Sequence, residues 1–190
     1  MRKLCIFMMV ICCGCAATVS HLDVNRPQDR VKAVDAYLAE FSSFDPVNSK
    51  IGKAIHEVLM RMPSQVLTIM MDRRRPVLFI GVYSSGTARF ASSGEVVMSD
   101  KDIPAFQQGM TLIKISDALE GGSSEAIMGI VAHEIAHRVL DHIRQKHVSC
   151  QAEREANRRI KSWGFVKEFT AASKEFGQAK EGHGVAACQD

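Results

Sequence analysis

His133, Glu134 and His137 are the residues whose types and spacing suit chemistry, in the run His133-Glu134-Ile135-Ala136-His137. On an α-helix, residues four apart share a face, so two imidazoles can meet one metal ion. Glu134, beside the first histidine, can take a proton from a water activated by that metal. HExxH has low specificity by itself, and its surroundings decide its meaning. Gly121-Gly122 end the preceding element, Ser123 or Ser124 supplies a helix cap, and Glu125 suits a first turn. From Ala126 to Ala136 the chain is apolar nearly all round, as in a helix through the middle of a domain. After His137 it turns amphipathic, and the helix is expected to leave the core near His142. A lone core histidine is simply hydrogen-bonded. Three polar groups sharing one buried helix instead call for a cation, because unpaired burial costs several kcal/mol.

A zinc site that does chemistry has three protein ligands and one open position. The run Gln151 to Ile160 reads as a second helix after a turn at His147-Val148-Ser149-Cys150. Glu153 is the candidate third ligand. Asn157, four residues on and on the same face, is placed to hydrogen-bond a ligating histidine from behind. Ala156 allows close helix approach. Glu155 points roughly 200° from Glu153 on a helical wheel and reads as a solvated surface charge.

On these residues the chain resembles the gluzincin metallopeptidases, in which HExxH and a downstream Glu hold zinc. More narrowly, it is similar to the CAAX-prenyl-protease and HtpX type family in its soluble periplasmic branch. Three segments carry the likeness: residues 109–119, His133 to His142 (HEIAHRVLDH), and Glu153-Arg154-Glu155-Ala156-Asn157 against that family's ExEAD box. Asn157 stands where the family has Asp, and the spacing between the two helices is shorter than usual there. An ExEAN box is also similar to the cytoplasmic ImmA/IrrE type peptidases. Either resemblance implies one Zn²⁺ per chain on His133, His137 and Glu153, with Glu134 as general base in peptide-bond hydrolysis. In gluzincins the substrate adds as a strand to the sheet edge beside the active helix, and Thr111 to Ser116 is the edge expected here. For the oxyanion donor, His142, His147, Tyr83 and His183 all remain open, and a structural or switch role for His142 is equally open.

Residues 1–15 read as a secretory leader: Arg2-Lys3, an apolar run from Leu4 to Cys13, then Gly14-Cys15. Gly14-Cys15-Ala16 resembles a bacterial lipobox with lipidation at Cys15, and Ala16 implies the outer membrane. Residues 16–26 form a tether, and 27–190 a single metallopeptidase-like domain. Such a leader favours the periplasmic family over the cytoplasmic one. Cys150 and Cys188 remain outside the leader and are a candidate disulfide in an oxidising compartment, with unlinked thiols the alternative. The formal charge of +3 falls to about +1 once Arg2 and Lys3 leave, which gives no reason to invoke nucleic acid. The basic run Arg73-Arg74-Arg75 reads as a solvated turn.

The positioning elements follow from periodicity. Helices are expected from Pro27 through Phe41 and from Asn48 to Met62-Pro63, with a closing helix over Val166 to Phe176. Strands are expected at 66–71, at 77–83 and at 111–116. A hairpin is expected from Phe90 to Val96-Val97-Met98, turning at Ser92-Ser93-Gly94. The class is α+β: a small, mainly antiparallel sheet packed on helices, with the zincin helix and a Glu-bearing helix after it. The expected activity is a zinc-dependent endopeptidase of the bacterial cell envelope acting on protein or peptide substrates. Its rival is a metal-binding lipoprotein with little or no turnover that serves as an assembly module.

Overall fold

A computed structural model describes residues 23–83, 91–96, 109–144, 149–177 and 188. The first helix, α1 (Pro27–Phe41), begins with Pro27 in its first turn and buries Ala33, Val34, Tyr37, Leu38 and Phe41 at helical spacing. The second, α2 (Lys50–Arg61), is capped by Ser49, whose hydroxyl accepts from Gly52 N–H; it buries Ile51, Ala54, Ile55, Val58 and Leu59. Residues 66–71 are not a strand. Val66 to Met70 belong to α3 (Ser64–Met70), with Met71 as its C-cap; the helix buries Val66, Leu67 and Met70 and leaves Ile69 partly exposed. Pro63 fixes the entry backbone, and burial at i, i+1 and i+4 is a helical stripe. Short apolar runs do not separate strand from helix by composition.

Three strands follow: β1 (Val77–Val82), β2 (Ala91–Val96) and β3 (Met110–Ser116). Their order is β1-β3-β2, with β1 parallel and β2 antiparallel to β3. The fold class is α+β as expected, and the sheet is mixed. The expected turn at Ser92-Ser93-Gly94 is instead the interior of β2, where Gly94 lies opposite Leu112. Ladder hydrogen bonds to β3 there override the turn preference of small residues. Phe90, Val97 and Met98 lie outside the described residues. Thr111 to Ser116 is therefore the central strand and no edge. The outer side of β1 is covered by residues 42–43: Ser43 N–H donates to Phe79 O and Gly81 N–H to Ser43 Oγ. β2 is the other outer strand of the three, and it packs beside the central helix.

That central helix, α4 (Ser124–Val139), buries nearly every residue from Ala126 to Arg138. It packs on α2, on α5 (Cys150–Ser162) and most extensively on α6 (Val166–Phe176). Its start is fixed on three sides. Ser123 Oγ accepts from Ala126 N–H, and the Ser123 hydroxyl and N–H donate to Glu175 on α6. Lys50 Nζ on α2 donates to the carbonyls of Glu120 and Gly122 just upstream. The helix ends earlier than expected. Asp141 has φ +57, which turns the chain, and a 3-10 turn at His142–Arg144 follows. The basic run is paired: Arg73 with Glu40, Arg74 with Asp72, and Arg75 with Glu95 and Asp141. No helix among the described residues is long and apolar enough to cross a membrane.

Candidate metal centre

The buried face of α4 presents His133 and His137, one turn apart, to the first turn of α5. Ser149 caps α5, its hydroxyl accepting from Ala152 N–H, and Ala152 and Ala156 are buried where the two helices meet. Small side chains there let Glu153 reach across. His133 Nε2 lies 3.0 Å from Glu153 Oε2 and 3.0 Å from His137 Nε2, and His137 Nε2 lies 3.6 Å from Glu153 Oε2. All three residues are buried. A buried His133, His137 and Glu153 group able to hold a metal ion is thus present.

A single ring hydrogen serves this triangle poorly. His133 Nε2 carries either a hydrogen or a lone pair. With the hydrogen it donates to Glu153 and shares that one hydrogen with the His137 Nε2 lone pair as a weak three-centre contact; with the lone pair it accepts from His137 and faces the carboxylate unfavourably. A cation at the centre is attracted to all three atoms at once. The edges also fit by size. Ligand atoms at about 2.0–2.1 Å from a tetrahedral ion stand roughly 3.3 Å from one another, and 3.0, 3.0 and 3.6 Å bracket that spacing.

The electrostatics run the same way. Burial raises the cost of a charged Glu153, yet hydrogen bonds with His133 and His137 outweigh it and hold the carboxyl well below its usual range. Burial likewise opposes a charged His137, but the Glu153 hydrogen bond and the charges of Glu134 and Glu153 leave it more basic than an ordinary histidine. Glu134 is buried on the same helix, next to His133.

The surroundings differ from expectation. Asn157 is buried on α5, one turn beyond Glu153. His133 Nδ1 is buried without a hydrogen-bond partner among the described residues, and His137 Nδ1 lies 3.1 Å from His142 Nδ1. His142 has been folded back by the turn at Asp141 and is only 4% exposed. Glu155 is not merely solvated, since its Oε2 is 3.1 Å from His142 Nε2 and its Oε1 accepts from Gln151 Nε2 at 3.0 Å. Tyr83, following β1, is 93% exposed. His147, His183, Cys15 and the whole of 1–22 lie outside the described residues. Cys150, the first residue of α5, is disulfide-bonded to Cys188, so the C-terminal tail is tied one turn before Glu153.

The chain matches no protein-family model, no curated protein and no solved structure. The functional reading therefore rests on the residues and their geometry.

Proposed function

We propose that the protein is a zinc-dependent endopeptidase of the gluzincin kind, with His133, His137 and Glu153 as metal ligands and Glu134 as general base. The observation that carries the reading is the triangle of two imidazole nitrogens and one carboxylate oxygen, which one shared ring hydrogen bridges only weakly and whose edges fit a tetrahedral cation by size. Zinc suits a mixed nitrogen and oxygen set, and when bound there it supplies Lewis acidity, acidifying a water and polarising a carbonyl. Glu134 follows His133 directly, so its carboxylate is available to take a proton from the attacking water and return it to the leaving amine. Both transfers use the same oxygen pair. His133, His137 and Glu153 would hold the metal and take no part in either proton transfer.

The substrate edge in this reading is β2 and not β3, since β2 is the outer strand on the far side of β3 from β1 and packs next to α4. An extended peptide adding there would lie antiparallel or parallel to Ala91–Val96, with alternate side chains facing the site. Location on the periplasmic side of a bacterial envelope, through a lipid on Cys15, belongs to the same proposal and is supported by the leader-like residues 1–15 and by the Cys150–Cys188 disulfide.

The test is metal analysis of purified protein beside Glu153→Ala, with chelator-sensitive cleavage of an unfolded protein such as casein. About one zinc per chain, lost in the variant, with cleavage abolished by chelation and restored by zinc, is expected. Stoichiometric zinc without cleavage would favour the binding-module alternative, and no metal at all would sink both.

A further inference from the structure

We propose that Glu155, acting through His142, sets the tautomer of His137 so that its Nε2 lone pair faces the metal position. The proposal rests on the metal-centre reading above, and makes Glu155 and His142 positioning residues.

The argument is one of proton counting. A neutral imidazole carries a single ring hydrogen. His137 Nε2 belongs to the triangle with His133 and Glu153, and His137 Nδ1 lies 3.1 Å from His142 Nδ1. If Nε2 is to offer a lone pair, the hydrogen of His137 must sit on Nδ1 and be donated to His142 Nδ1. His142 then keeps its own hydrogen on Nε2, which lies 3.1 Å from Glu155 Oε2. A carboxylate only accepts, so this arrangement is satisfied from end to end. The reverse arrangement puts the hydrogen of His137 on Nε2, inside the triangle. It also turns the His142 Nε2 lone pair toward a carboxylate, a repulsive contact. The charge of Glu155 therefore disfavours the tautomer that cannot bind metal.

Two features make the relay a built one. Gln151 Nε2 donates to the second oxygen of Glu155 at 3.0 Å, which fixes the carboxylate on α5. The positive φ of Asp141 breaks α4 and brings His142 back against His137. A continuous helix would set His142, five residues on, roughly 140° around from His137. Among the described residues His133 has no such support, because its Nδ1 is buried without a partner there. The control is therefore particular to one of the two ligating histidines.

The test uses the full-length protein with histidine side chains labelled in nitrogen-15, stripped of metal, and zinc affinity measured by competition with a chromophoric chelator. In the wild type, His137 is expected as the Nδ1–H tautomer. In Glu155→Gln the amide either accepts from or donates to His142, so a mixture is expected with the fold intact. Zinc affinity should fall about 10-fold in Glu155→Ala and up to about 100-fold in His142→Ala. The double variant should bind no more weakly than His142→Ala alone, since Glu155 acts only through His142. An unchanged His137 tautomer in Glu155→Gln and Glu155→Ala, or losses that add in the double variant, would overturn the proposal. A wild type that binds no zinc would remove the metal reading instead, while the tautomer measurement on the metal-free protein would still judge the relay.

Discussion

Glu153 Oε2 stands 3.0 Å from His133 Nε2, although the two residues are 20 positions apart and lie on different helices. The contact depends on where α4 and α5 are held. The start of α4 is pinned by Glu175 and Lys50, and α5 begins at a disulfide and a serine cap. It follows that chemistry and scaffold can be perturbed separately.

Glu134→Gln should separate proton transfer from metal binding. The amide keeps the size of the side chain and cannot act as a base, while His133, His137 and Glu153 are untouched. Zinc content is expected to stay at the wild-type level and cleavage to fall by at least about 10²-fold, the lower end of general acid–base contributions. Parallel metal analysis and peptide-cleavage assays check both. Cleavage persisting at the wild-type rate would exclude Glu134 as the base.

Much of this arrangement is legible in the sequence. The helices α1, α2 and α6 follow from apolar periodicity, α4 from its nearly all-round apolar run behind Ser123 or Ser124, and α5 from the run Gln151 to Ile160 after a turn. The caps at Ser49 and Ser149 appear only in the structure. Strands β1 and β3 also follow from composition. The strand order does not, because a pattern of alternation records which face is buried and not which neighbour is paired. The α3 segment fails for a related reason: six mainly apolar residues fit either period. His142 and Glu155 could not be linked from sequence. Their contact exists because Asp141 leaves the helical region, and a helical wheel drawn through 137–146 hides it. A wheel also shows Glu155 facing away from Glu153, which is true and beside the point, since its partner arrives from another segment.

Removing the disulfide should cost stability without removing metal. Cys150 and Cys188 close a loop with a sequence separation of 38, for which chain-entropy arithmetic gives roughly 4 kcal/mol. Cys188→Ser should therefore melt about 8–16 °C lower by calorimetry, on the usual conversion for a chain of this size. Zinc stoichiometry at 25 °C should be unchanged, because Glu153 remains on a capped helix. Mild reductant should reproduce the shift in the wild type and leave Cys188→Ser unaffected.

Acid should weaken the join between α2 and α6. Glu168 is buried and accepts from Arg61 Nη1 at 2.6 Å, and Arg61 also lies over the Phe165 ring at 4.4 Å. Burial disfavours the Glu168 charge, but the Arg61 hydrogen bond prevails and its pKa is lowered. A depressed folded pKa gives stability that is present above the unfolded value, about 4.3, and lost as pH falls through the folded one. Glu168→Gln should cost about 2 kcal/mol at pH 7 by denaturant unfolding. The gap between the two proteins should close progressively as the pH falls from about 5 toward 2. A gap that widened in acid would contradict the assigned pairing.

Gly129 offers the sharpest test of how α4 is seated. A Cβ there would come 2.3 Å from Glu168 O, 2.7 Å from Glu168 C and 2.9 Å from Ala172 Cβ, all on α6. Backbone atoms in a packed helix cannot step aside as a flexible side chain would, so α6 must move as a unit. Gly129→Ala is therefore expected to lose about 3 kcal/mol, although alanine is the better helix former by about 1 kcal/mol. The control is Gly94→Ala on β2, where an added Cβ meets nothing within 4 Å. There the melting temperature should hold or rise, as lost chain entropy in the unfolded state favours alanine by about 0.4–1 kcal/mol. Because His133 lies one turn beyond Gly129 on the same face, any shift of α4 in the first variant should also be read in the zinc affinity. A Gly129→Ala protein as stable as the wild type would mean that α4 and α6 do not pack as closely as described.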